Sequence, residues 1–313
     1  MSKVYNMGPS PHIRTSETVD KVMLDVIIAL VPALLMAVYV FKTRALIVTA
    51  VSVIFCMLTE LVFNKIRKTE CTLHDGSAIV TGLLFAFVIP VGMGLQYVAI
   101  GAVVSIALGK MLFGGLGQNV FNPALVGRAF VQASWPVAIT SFTLDGMAGA
   151  TMLDAMKRGV PEILIGEGNQ YVQALIGKMG GCLGETSAVA LLIGGAYLIY
   201  KKQIDWKMPL IIIATVAVFT GIAGRDPLMH ILSGGLMLGA FFMATDMVTS
   251  PVTPKGKVIY AFGVGALISL IRLKGGYPEG TAFSILIMNG VTPLINRYTM
   301  PKKFGEVKAD GKK

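Results

Sequence analysis

The run from Thr143 to Gly159, Thr-Leu-Asp-Gly-Met-Ala-Gly-Ala-Thr-Met-Leu-Asp-Ala-Met-Lys-Arg-Gly, is the one polar stretch that persists inside an otherwise oily chain. It lies in the longest gap between apolar runs, roughly 136–185. Its centre, Gly149-Ala150-Thr151, precedes about two turns of predicted helix. Thr151 stands at the N-cap and Asp154 at N3, close to a capping box with Asp in place of Glu or Gln. A hydroxyl at a helix start accepts a bond from an unsatisfied backbone N–H, and the same corner favours a phosphate placed there. The plainer alternative is a capped surface helix with no ligand.

Two further stretches carry polar groups into apolar surroundings. In Asn119-Val-Phe-Asn122-Pro-Ala-Leu-Val-Gly-Arg128, the Asn-Pro pair frees backbone carbonyls that something must satisfy. Arg128 falls near the middle of an apolar run, where a charge needs an interior partner or a ligand. A structural clamp onto exposed carbonyls explains it equally well. The second stretch, Ala244-Thr245-Asp246-Met-Val-Thr-Ser-Pro-Val-Thr-Pro-Lys-Gly-Lys257, ends a Gly-rich run with hydroxyls, one carboxylate and two prolines. It suits a polar ligand or cation at a helix end, or simply a capped turn.

Soluble catalytic constellations are absent. The chain has three histidines (His12, His74, His230), no HExxH, no partnered nucleophile, no P-loop and no GxGxxG. Gly114-Gly-Leu-Gly117 enters an apolar run rather than a βα turn, which excludes a dinucleotide-binding enzyme of the hydride-transferring kind. Cys56, Cys71 and Cys182 are scattered without metal-ligand spacing and read as packing thiols. The acidic residues Asp25, Glu60, Asp75, Glu185, Asp226 and Asp246 fall near the ends of apolar runs, and no midplane proton relay stands out.

The elements that must hold these residues are membrane spans. Hydrophobic residues make up 54% of the 313, charged residues only 14%, and mean hydropathy is +0.72. A water-soluble domain carries about 25% charged residues, so this surface cannot face water throughout. The expected fold is an all-α integral membrane protein in the lipid bilayer. Ten candidate spans of crossing length run roughly 22–41, 44–63, 77–91, 95–113, 119–136, 186–200, 208–223, 228–245, 257–271 and 280–297. The third, fifth, sixth and ninth are short or rich in Gly and Pro, which predicts tilted or broken helices there. The first, 22–41, is read as a retained span rather than a signal peptide.

Charge gives orientation. With the N-terminus inside, about eighteen Lys and Arg lie on inner segments, Lys110 among them, against about eight outside. Both termini then face the cytoplasm and the Thr151 loop faces outward. The net charge of +10 follows from this placement and does not indicate nucleic-acid binding.

Internal similarity divides the chain further. Asn119–Arg128 resembles Asn289-Gly-Val-Thr-Pro293-Leu-Ile-Asn-Arg297, and Asp75-Gly-Ser-Ala-Ile-Val-Thr-Gly82 resembles Asp226-Pro-Leu-Met-His-Ile-Leu-Ser-Gly234. Each match is offset by five spans, and an odd offset inverts topology, so the halves would be inverted repeats. The expected organisation is a cytoplasmic segment 1–21, a membrane repeat 22–136, an extracytoplasmic loop 137–185, a second repeat 186–297 and a basic tail 298–313.

Taken together, Asp145…Gly149-Ala150-Thr151, Gly114-Gly-Leu-Gly-Gln-Asn119-Val-Phe-Asn122-Pro123…Gly127-Arg128 and Ala244-Thr-Asp-Met-Val-Thr-Ser-Pro251…Gly256-Lys257 resemble the D subunit of Rnf-type ion-translocating oxidoreductases. More distantly, they are similar to the B subunit of sodium-translocating NADH:quinone reductases. The likeness runs from about Pro9 to Pro301. It implies FMN joined by a phosphoester to Thr151, attached by a flavin transferase, with Asp145, Gly149 and Ala150 as the neighbouring motif positions. Ala148 stands where the family more often has Ser or Thr. The resemblance further implies a second, non-covalent flavin (riboflavin), for which Asn119, Asn122, Arg128, Thr245 and Asp246 would be natural walls. Its partners would be the other subunits of such a complex, including a second extracytoplasmic flavoprotein. The implied activity couples electron transfer between ferredoxin and NAD to Na⁺ or H⁺ movement. A channel or secondary transporter on the same inverted repeat is the alternative; it has no use for a flavinylated threonine.

Overall fold

The structure is a computed structural model that describes residues 17–140, 142–144, 147–149, 153, 157, 170–176, 181–185, 187–276 and 280–301. Its framework is a helical bundle whose first two members turn apolar side chains outward. Helix α1 (Val19–Phe41) starts where the Thr18 hydroxyl accepts from the Lys21 N–H at 3.4 Å. Helix α2 (Thr43–Arg67) follows after one residue, Lys42, with positive φ. Both expose Leu, Ile and Val along their length, such as Leu35 and Val62, while burying small residues such as Ala29, Ala33 and Ala45. Lipid-facing helices must do this, because only small contact residues let backbones approach.

Helices α1, α2 and α12 (Pro254–Lys274) are long and apolar enough to cross a membrane. Shorter apolar helices stand beside them. These are α3 (Ser77–Phe87), α4 (Leu95–Ile106, continued by a π-helical turn over Ala107–Met111), α8 (Ala188–Tyr200) and α9 (Lys207–Ile222). Helix α5 (Pro123–Ser134) begins on the Asn122 cap and α6 (Pro136–Thr140) extends it. The fifth span is therefore shifted along the chain, since residues 119–122 lead into the helix without belonging to it, and it is interrupted at Trp135 between α5 and α6. The last helix is α13 (Thr281–Thr299), which carries Pro293 in its interior.

The eighth span is broken at a pair of glycines. It consists of α10 (Pro227–Leu232), a turn at Ser233–Gly235, α11 (Leu236–Leu238) and a π-helical turn over Gly239–Met243. Gly234 and Gly235 have φ of +69° and +65°, a region that side chains penalise, so the pair ends one helix and re-aims the next. The ninth span was expected to be irregular and instead forms the unbroken 21-residue α12. Its glycines stay helical and serve contact: a Cβ on Gly265 would meet the Thr215 Cβ of α9 at 2.7 Å.

Between the halves lies a short antiparallel hairpin, β1 (Phe142–Leu144) with β2 (Met147–Gly149). The all-α expectation therefore needs this one correction, made where the chain leaves the apolar runs. Helix α7 (Gln170–Ile176) follows.

Candidate functional site

The polar groups gather at the end of the bundle where α1, α3, α5, α9 and α12 begin and α2, α4, α8 and α13 finish. Here Asn122 has a β-region backbone, and its carboxamide oxygen accepts from the N–H groups of Ala124 (3.1 Å) and Leu125 (3.4 Å). With Pro123 at the first helical position, this cap dictates where α5 starts. The Asn122 amide nitrogen donates to the Met243 carbonyl at 3.4 Å, tying α5 to the π-helical end of the eighth span. Oriented to satisfy its surroundings, the Asn289 amide accepts from the Asn122 backbone N–H (3.1 Å) and donates to the Tyr260 hydroxyl (2.7 Å).

A cavity of about 110 Å³ opens beside this knot, lined by Asn119, Asn122, Thr245 and Asp246 together with Lys110 and Gln203. Four of the five residues singled out for a polar pocket thus converge. Arg128 does not: it is buried at 8% exposure within α5 and is absent from the lining. The four differ in what they have left to offer. Asn122 has committed both ends of its amide. Thr245 donates to its own helix at the Phe241 carbonyl, 2.7 Å away. Asp246 accepts from Val248 N–H (3.3 Å) and Thr249 Oγ1 (3.0 Å), so it caps a turn as well as lining the wall. Asn119 donates to the Phe121 carbonyl at 3.2 Å, which orients its amide and leaves Oδ1 buried with no partner. An orphaned buried acceptor costs about 1–3 kcal/mol, and a ligand that donates to it recovers that cost.

Sequence reasoning missed one constituent of this wall. Lys110, counted among the inner basic residues, is only 2% exposed in the π-helical turn after α4. Its ammonium donates to both carboxylate oxygens of Glu60 at 2.8 Å and to Ser77 Oγ at 2.6 Å. Thr72 Oγ1 completes the carboxylate shell at 2.5 Å. The two charges are 50 residues apart in sequence, and only folding pairs them.

At the opposite end, the candidate flavin segment meets the broken span. Gly149 closes β2, whereas Asp145, Ala150, Thr151 and Asp154 lie outside the described residues. Leu153 is helical and buried at 3% exposure; a Cβ on Gly234 would sit 2.1 Å from its Cδ1. Lys157, also helical, donates to the Gly275 carbonyl just past α12. Beneath them Arg272 gathers the carbonyls freed by the break: His230 at 2.5 Å, Ser233 at 3.2 Å and Gly234 at 3.0 Å. Two side-chain atoms there, His230 Nδ1 and Ser233 Oγ, are buried without a partner. They are the kind of polar group that a ligand at this end would satisfy. Helix α7 is moored to the same end, since the Tyr171 hydroxyl donates to Asp226 Oδ2 at 2.6 Å, and that bond raises the phenol above its ordinary pKa of 10.0.

A helical membrane protein with a span broken at paired glycines, and unsatisfied polar atoms buried at both ends, is the class these features define. The chain belongs to the NQR2, RnfD, RnfE family, whose model matches residues 6–305. It is 46% identical to the D subunit of the proton-translocating ferredoxin:NAD(+) oxidoreductase complex of Clostridium ljungdahlii, across 96% of each chain. It is 48% identical to the D subunit of the Na(+)-translocating ferredoxin:NAD(+) oxidoreductase complex of Acetobacterium woodii, again across 96% of each. The D subunit of the ion-translocating oxidoreductase complex of Halorhodospira halophila is 34% identical, with 95% of each chain covered.

Proposed function

We propose that this chain is the flavin-carrying membrane subunit of a complex that couples electron transfer between ferredoxin and NAD to ion translocation. The observation that carries this reading is the full-length likeness, near half identity, to two proteins named as the D subunits of such complexes. FMN is attached at Thr151 by a flavin transferase, with Asp145, Gly149 and Ala150 forming the recognition motif. Bound there, FMN supplies the electron-carrying chemistry, while the chain supplies position and polarity. Burial of Leu153, two residues on, and the unsatisfied His230 Nδ1 and Ser233 Oγ near it support a ligand at this end. The unpartnered Asn119 Oδ1 supports a second, non-covalent flavin in the inner cavity.

The architecture in this reading is ten spans in two inverted repeats, both termini cytoplasmic, the Thr151 loop outside. Two matched pairs support it. Asp75, one residue before the α3 N-cap, accepts from the Ser77 N–H at 2.8 Å, and Asp226, the N-cap of α10, accepts from the Leu228 N–H at 2.9 Å. Asn122 and Asn289, from the matched segments of the fifth and tenth spans, meet at the inner knot. The π-helical turns do not follow the offset, because one lies in the fourth span and the other in the eighth. The partners are the remaining subunits, among them a second extracytoplasmic flavoprotein. The coupling ion does not come with this reading, since relatives of nearly equal identity are named for H⁺ and for Na⁺.

The test is in-gel flavin fluorescence under denaturing conditions after co-expression with a flavin transferase. A fluorescent wild-type band that disappears in Thr151→Ala supports the covalent site. A dark wild-type band beside a demonstrably active transferase would sink it.

A further inference from the structure

The inner cavity is too small to be the whole of a ligand site. Pockets for drug-sized molecules occupy about 300–1,000 Å³, against about 110 Å³ here. The space continues outward, however. A second hollow of about 200 Å³ shares Gln203, Ile204, Thr245 and Met247 with the cavity. A third, of about 220 Å³, shares Asp205, Met208 and Lys257 with the second and is lined also by Lys207 and Lys255. The three lie in series between the turn that follows α8 and the segment that joins the eighth span to α12. One wall is held in place: Asp25 of α1 accepts from the Tyr197 hydroxyl at 2.7 Å and from Gln203 Nε2 at 3.2 Å. The other wall carries the exposed side chains of Met247 and Val252.

We infer that these hollows form a loading passage, through which a planar, uncharged heteroaromatic ligand reaches the cavity from the lysine-rich end of the bundle. This rests on the reading of the cavity as a second flavin site. Charge favours an uncharged ring over a free anion. Asp246 stands at the inner end, and the Lys110 ammonium is already paired with Glu60. The unpartnered Asn119 Oδ1 is the acceptor that the N–H of an imide ring edge would meet. Val258 lines the outer hollow and neither the middle one nor the cavity, so it stands beside the route without touching a ligand seated against Asn119.

The passage makes a kinetic prediction that a binding wall does not. An obstruction on the route raises the barrier in both directions and leaves the end states unchanged. The full-length protein, made without a flavin transferase so that no covalent flavin obscures the signal, is mixed with riboflavin, and fluorescence quenching is followed in a stopped-flow cell. Val258→Trp, and Lys255→Trp as a second obstruction, should slow association and dissociation together by about tenfold and leave Kd within about twofold. Asn119→Leu should instead weaken binding mainly through faster dissociation. Unchanged rates in both tryptophan variants overturn the passage and leave the cavity site standing. A raised Kd with unchanged association in Val258→Trp makes Val258 a wall of the site and also overturns the passage. No riboflavin binding by wild type removes the cavity reading, and the passage with it.

Discussion

Lys110 and Glu60 illustrate how a single buried pair constrains the residues around it. Each charge has given up water, and the bidentate contact at 2.8 Å with Ser77 and Thr72 replaces what hydration supplied. Removing one partner strands the other, which costs about 3–5 kcal/mol, whereas replacing both with apolar groups of similar volume is often near neutral. Lys110→Met should therefore lower thermal stability in detergent sharply, and Glu60→Leu combined with Lys110→Met should recover most of the loss. A double variant no better than the single one would mean that the pair does not act as a unit. Tyr171 gives a pH counterpart. Its phenol is raised by donating to Asp226, so the protonated form is the one favoured by folding. The tie between α7 and α10 is fully present below pH 10.0 and lost as pH rises through the raised value. Ultraviolet titration of tyrosinate should lose one late-ionising group in Tyr171→Phe.

Among the elements, the eighth span concentrates what a membrane helix ordinarily avoids: freed carbonyls, two glycines of positive φ and unpartnered polar atoms. Arg272 offsets the first of these from a neighbouring helix. Arg272→Leu leaves the carbonyls of His230, Ser233 and Gly234 without that donor, at about 1–3 kcal/mol for each that stays unsatisfied. Gly234→Ala adds about 1–2 kcal/mol of backbone strain, and the new methyl would press on Leu153. Both variants should unfold at lower temperature. Gly234→Ala should also reduce flavin incorporation at Thr151, read by in-gel fluorescence, because the contact it disturbs lies two residues from the acceptor. Equal incorporation would separate the break from the flavin segment.

The sequence made the apolar runs legible, since their length and hydropathy follow from the bilayer alone. It also marked Asn119, Asn122, Thr245 and Asp246, because amides, a hydroxyl and a carboxylate that enter or end an apolar run are costly in lipid unless they meet something. It could not say which Gly-rich span breaks. Glycine in α12 and glycine at 234–235 look alike as letters and differ only in dihedral angle and in what packs against them. Nor could it pair Lys110 with Glu60, whose partnership depends on α2 and α4 lying side by side.

At the scale of the whole molecule, the proposed division between an outer flavin and an inner cavity depends on orientation. In the proposed orientation the α2–α3 connection lies inside, and that connection carries Cys71, exposed and three residues from Lys68. Cys56 and Cys182 are buried in the bundle. The unmodified protein thus holds its own topological reporter. A membrane-impermeant maleimide should label it in inverted vesicles and leave it unlabelled in right-side-out vesicles, with Cys71→Ser abolishing the signal. Gly276→Cys supplies the opposite control: it is exposed just beyond α12, with open space around it, at the end where Lys157 meets Gly275. In a Cys71→Ser background it should label from outside only. If Cys71 instead labels in right-side-out vesicles, the bundle is inverted. The lysine-rich passage would then open away from the cytoplasm, and the Thr151 segment would lie on the cytoplasmic side.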